Sequence, residues 1–177
     1  MSIMRRLPTW IGLALLTALV GCASSPPKGI KPVSGFEFRR YLGTWHEIAR
    51  LDHPFERGLS QVTATYALRP DGSIQVVNRG YDAGGGEWRE IRGVARFMGP
   101  TDVGSLSITF FWPFSGAYHV IALDREGYDY AMVTSSSRSY LWILARQPRL
   151  DQDVLDDLLA QARQWGFPTD ELIFVEH

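Results

Sequence analysis

The chain has 177 residues, enough for one domain with a real hydrophobic core and a short extension. Hydrophobic residues make up 45% and charged residues 21%, which fits a folded globular domain and excludes a disordered one. Net charge is −1, and beyond the first 21 residues 16 basic side chains face 19 acidic ones, so the basic excess that attracts nucleic acid is missing and no nucleic-acid partner is expected.

Residues 1–21 have the layout of a secretion signal. Arg5 and Arg6 precede an apolar run, Ile11 to Val20, and small residues follow. That run is too short to span a hydrocarbon core, and no later run is long enough. The chain has one cysteine, so no internal disulfide is expected. The stretch Leu19-Val20-Gly21-Cys22 resembles the bacterial lipobox. That resemblance implies cleavage before Cys22, a diacylglyceryl group on its thiol and acylation of its new amine. Ala23, rather than Asp, follows, which by the same resemblance implies a lipid-anchored protein of the cell outer membrane. More than one acyl chain anchors stably, at about 0.8 kcal/mol per buried methylene. Residues 22–35 then form the lipidated N-terminus and a Pro-rich tether. Pro26, Pro27 and Pro32 suit neither a helix nor a central strand, so an extended spacer holding the domain off the membrane is expected.

The domain proper is expected over 36–177. Short alternating runs predict strands near 44–52, 61–69, 73–79, 88–98, 105–112, 117–124, 129–134 and 139–146. Turn chemistry separates them: Asp71-Gly72, Gly84-Gly85-Gly86, Ser115-Gly116 and Glu126-Gly127. Eight strands with short turns predict an all-β, up-and-down antiparallel barrel, with a sandwich as the alternative. Asp151 to Trp165 changes to helical period, with Val154, Leu155, Leu158, Leu159, Ala162 and Trp165 on one face. Asp151 is placed to cap this helix, Gly166 and Pro168 to end it, and the apolar stripe to pack outside the sheet. Leu172 to Val175 predicts a short last strand.

Gly43-Thr44-Trp45 opens the first strand and resembles the Gly-x-Trp signature of the lipocalins. Asp129-Tyr130 and Arg146 follow where that family has its second and third signatures, although Tyr128 stands where the family has Thr. Tyr41 to Gln61, Asn78 to Tyr81 and Tyr140 to Arg146 resemble the bacterial outer-membrane lipoprotein lipocalins of the Blc group, with the animal apolipoprotein D more distant. The resemblance covers nearly all of the chain from Phe36. It implies a lipocalin barrel whose base is closed by Gly43, Trp45 and Arg146, the Arg lying across the Trp. His46, where relatives often have Tyr, is expected to tune rather than change function.

Eight strands leave room for side chains alone or for one small ligand. Tyr66, Val76, Asn78, Trp88, Phe110, Trp112, Tyr118, Tyr140 and Trp142 share an inward parity that would line an acyl-chain slot near the open end; core packing is the alternative for each. The His53–Ser60 loop gates access by the family resemblance, with Phe55 as a cap and Arg57 near a head group. Arg50 and Arg79 are either carboxylate or phosphate partners or surface charges. Trp112-Pro113-Phe114 predicts an exposed aromatic turn for a membrane, a homodimer or the mouth. The four histidines lack metal spacing, no nucleophile elbow appears, and Cys22 is committed to the anchor, so no catalysis, cofactor or metal is expected. The expected function is binding of a fatty acid or lysophospholipid, for storage, scavenging or transport in the envelope. The alternatives are a filled barrel with an interaction role and an envelope enzyme.

Overall fold

A computed structural model describes residues 24–177. The signal peptide and the anchoring role expected of Cys22 lie outside the described residues.

The alternating runs form β1 (Gly43–Arg50), β2 (Leu59–Leu68), β3 (Ile74–Asp82), β4 (Glu87–Phe97), β5 (Ser105–Phe111), β6 (Phe114–Leu123), β7 (Tyr130–Thr134) and β8 (Leu141–Ala145). Each is antiparallel to the next. β1 then closes the sheet, pairing Gly43–His46 with β2 and His46–Arg50 with β8. The result is a barrel rather than a sandwich, closed by β1 between β2 and β8. A ninth strand, β9 (Ile173–Phe174), pairs with Ala49 and Arg50 where β1 leaves β2. Beyond it, Val175 N–H bonds the Ile48 carbonyl at 3.0 Å, and Gln61 N–H bonds the Glu176 carbonyl at 2.7 Å. The C-terminal tail is therefore wedged between the diverging β1 and β2.

The helical segment forms α2 (Gln152–Gln164), after a four-residue helix α1 (Phe38–Tyr41). Leu155, Leu158 and Ala162 of α2 pack on Ile121, Met132, Ile143 and Ala145, the outward residues of β6, β7 and β8. Each leucine so buried contributes roughly 1.5–3 kcal/mol. Asp151 sits at the N-cap but makes no side-chain cap bond, so that expectation is corrected. The C-terminus is a Schellman stop. Gly166 takes φ +78°, its N–H bonds the Arg163 carbonyl, and Phe167 N–H bonds the Ala162 carbonyl at 3.1 Å.

The Pro-rich segment is not a free spacer. Ile30 is buried among the residues under α2, and Val33 N–H bonds the Val120 carbonyl at 2.8 Å. Ser34 bridges Val103, and Arg138 donates to the Lys28 carbonyl at 2.7 Å. Prolines keep the arm out of helix and sheet, but they do not stop apolar neighbours from docking it on the barrel wall.

Candidate functional site

The base of the barrel is sealed. Gly43 takes φ +94°, a conformation that strains any residue with a side chain, and so turns the chain from α1 into β1. Trp45 is fully buried, and its indole N–H donates to the Tyr41 carbonyl at 2.9 Å. Arg146 lies with Cζ 3.9 Å from the Trp45 ring centroid, as the family resemblance implies. Above them Tyr66 donates to the Tyr118 hydroxyl at 2.8 Å, and Tyr118 and Tyr41 share a second 2.8 Å bond. Burial raises the pKa of all three, so they are neutral hydroxyls and not phenolates. Tyr66 and Val76 thus face inward, but as floor rather than rim.

Register decides what faces the interior above this floor. Asn78 pairs with Ala64 and Ile91, and Val76 with Gly93. Phe110 lies over Gly93, where an added Cβ would meet its ring at 2.8 Å. Gly116 pairs with the inward Ile108, and nothing lies within 4 Å of its Cβ direction. Asn78, Ile91, Phe110, Tyr118 and Trp142 are half-buried although they point inward, whereas Trp45, Ile74, Val76 and Ala95 near the floor are closed off. The interior is therefore accessible from the end where β1, β3, β5 and β7 finish. Tyr140 stacks on Trp142 at that end, with centroids 5.9 Å apart.

Two aromatic assignments are corrected. Trp88 pairs with Tyr81 on the outer face, where Arg79 lies 4.0 Å from its ring centroid; strand β4 runs in the opposite parity from the one expected. Arg79 is accordingly committed to an outer cation–π contact. Trp112 is 89% exposed in the β5–β6 turn and stands on the rim, not in the wall. Phe55, 75% exposed, stands on the β1–β2 loop at the same end. Arg57 is an exposed partner of Asp52, at 2.7 Å.

Arg50 is neither a surface charge nor a free cation. It is buried, 2.7 Å from Glu47, and Nη2 donates to the carbonyls of Glu56 at 2.8 Å and Leu59 at 3.2 Å. Glu56 turns inward from the loop, takes the Trp142 indole N–H at 3.1 Å and lies 3.0 Å from His53 Nε2. Burial and the nearby Glu56 raise the Glu47 pKa; the close approach of His53 and the hydrogen bond from Trp142 outweigh burial and lower that of Glu56. One wall below the mouth is thus a packed polar cluster that also ties down the loop. Glu47, His53 and Glu56 were not foreseen in it. Glu47 had a signal, two residues beyond Trp45 on one face. Arg50 had none, because a bulge between Glu47 and Ala49 returns it to the inside.

Among the described residues no three His, Cys, Asp or Glu side chains come together as a metal site. What remains is a cup with a closed floor, an inner row that includes half-buried Ile91, Phe110 and Trp142, one polar wall and an aromatic rim, an arrangement suited to holding a small amphiphile. The family described as Lipocalin-like domain matches residues 36–177. The chain is a lipocalin. It is 48% identical over 166 residues to a Vibrio cholerae protein named outer membrane lipoprotein Blc, covering 94% of this chain and 97% of that one. Apolipoprotein D of Bos taurus is 34% identical over 128 residues, 68% of this chain and 66% of that one. In shape, this lipocalin is similar to insecticyanin of the tobacco hornworm, with a TM-score of 0.68 at 22% identity, over 86% and 88% of the two chains.

Proposed function

We propose that this lipocalin is a lipoprotein of the outer membrane, acylated on Cys22, that holds one fatty acid or lysophospholipid in the barrel. The observation that carries the reading is the half-open row of inward Ile91, Phe110 and Trp142 above a sealed floor. An acyl chain laid along it leaves water at roughly 0.8 kcal/mol per methylene, and the head group stays at the mouth. The relatives named outer membrane lipoprotein support the anchor and the address, and Leu19-Val20-Gly21-Cys22 supplies the acceptor. Because the tyrosine floor and the Glu47–Arg50 cluster take up part of the interior, a single slender chain fits this reading better than a flat ring system. Binding rather than turnover is the role proposed.

The cluster also favours a second reading, a filled barrel whose work is done on its surface. Native mass spectrometry of protein extracted from envelopes separates the two. The first reading expects a one-to-one adduct of fatty-acid or lysophospholipid mass. Bare protein from lipid-rich envelopes would favour the second.

A further inference from the structure

The β5–β6 hairpin carries no charge. Between Asp102 and Asp124 there is no Asp, Glu, Lys or Arg, in a chain that is 21% charged. The neighbouring outward row of β4 is ordinary by contrast, with Glu90, Arg92 and Arg96 exposed. The outward row of the hairpin is Ser107, Thr109, Ala117 and His119, and its tip presents Phe111, Trp112 and Phe114 at 66%, 89% and 78% exposure. Single exposed apolar residues are common; three large aromatics on the tip of a charge-free hairpin are not.

The N-terminal arm adds a second, independent constraint. Ser24 is fixed to this same hairpin. Its carbonyl accepts from His119 Nε2 at 3.0 Å, and His119 Nδ1 and the Ser105 hydroxyl share a second bond at 2.8 Å. Ser24 to Pro26, Met98 to Pro100 and His119 line a shallow groove beside it. Cys22 stands two residues before Ser24 in the sequence, so an acyl group on it is joined to the arm's attachment point by a tether of only two residues. From Ser105 to the Phe111 tip is about 20 Å along β5.

We propose that the outward face of the β5–β6 hairpin is a docking surface for a phospholipid bilayer. The acyl anchor at one end and the aromatic tip at the other lay the barrel on its side and bring the rim to the membrane surface. This rests on the reading of Cys22 as acylated. The bilayer is the occupant, rather than a second copy, because an acyl chain on Cys22, two residues before Ser24, ties the membrane to this same hairpin. Trp and Phe suit the interfacial zone, and an uncharged Ser/Thr row loses little there. A ligand could then pass between bilayer and cup without crossing bulk water.

The test uses the full acylated chain in vesicles of phosphatidylethanolamine and phosphatidylglycerol. Nitroxide labels are placed by Ser115→Cys on the hairpin and by Asp156→Cys on α2. The Ser115 label is expected to collide severalfold more with oxygen, and less with a water-soluble nickel complex, than the Asp156 label. Trp112→Asp with Phe114→Asp should return the Ser115 label to water while the protein still pellets with the vesicles. Equal nickel access at both sites in pelleted wild-type protein overturns the docking and leaves the anchor intact. Mutual broadening of Ser115 labels without oxygen contact means a face between copies and also overturns it. Protein that lacks acyl mass and stays in the supernatant refutes the anchor itself, and the docking with it.

Discussion

Arg146 places its guanidinium 3.9 Å from the Trp45 ring centroid and donates to the carbonyls of Thr44, Arg40 and Tyr128 at 3.0, 2.7 and 3.2 Å. One side chain thus joins β1, α1 and the β6–β7 turn at the barrel base. Arg146→Met keeps the aliphatic packing and removes the donors and the cation–π contact, for an expected loss of about 2–3 kcal/mol. Arg146→Lys should recover little, since one ammonium cannot reach three carbonyls while lying flat on a ring. Thermal unfolding checks both; a Tm within about a degree of wild type would contradict the assignment.

The Glu47–Arg50 pair is buried on both sides. Arg50→Met alone leaves a buried carboxyl without its cation and should cost about 3–5 kcal/mol. Glu47→Gln combined with Arg50→Met removes both charges and should be less harmful than Arg50→Met by itself. Urea midpoints of the single and double variants decide it; strict additivity would mean the pair is not coupled.

The cup and the outer face separate cleanly by substitution. Gly116 points inward with open space beyond it, so Gly116→Phe should leave the fold intact and weaken lipid binding by at least about tenfold, or about 1.4 kcal/mol. Trp88→Ala, on the outer face, should leave affinity unchanged. Paired titrations of the two variants are the measurement, and the reverse pattern would place the ligand outside the barrel.

His119 predicts a pH dependence. Burial lowers its pKa, so below about pH 6.5 the unfolded chain takes up a proton that the folded chain refuses. Stability is therefore lost as pH falls from the unfolded value toward the depressed folded one. His46, also lowered, acts in the same direction, while Glu47, raised by burial, makes stability fall as pH rises. The difference between wild type and His119→Gln isolates the one group. The variant should lose less stability than wild type between pH 7 and pH 5, measured by denaturant unfolding. Parallel curves would show that burial does not hold His119 neutral.

Most of the fold was legible because it is written in period and punctuation. Asp71-Gly72 and the Gly84–Gly86 turn lie where strands reverse, and Leu155, Leu158 and Ala162 mark the buried helical face. The floor was legible only through the family resemblance carried by Gly43, Trp45 and Arg146. The cup was less so, for reasons of register. A strand's parity flips with one residue, so Trp88 was placed inside when its partner Tyr81 faces out. The bulge that carries Arg50 inward leaves no mark in composition. Nor does a Pro-rich arm announce that Ile30 and Val33 will dock, since that depends on a wall built by distant strands.

The most direct test of the central claim is a titration of delipidated protein with saturated fatty acids and lysophospholipids of increasing chain length, followed by intrinsic tryptophan fluorescence. Trp142 lines the cup and should report occupancy. The predicted result is saturable one-to-one binding that tightens with each added methylene until the cup is full, and that Gly116→Phe weakens throughout. A folded protein that binds no member of the series, or binds all lengths equally, would contradict an acyl chain in the barrel.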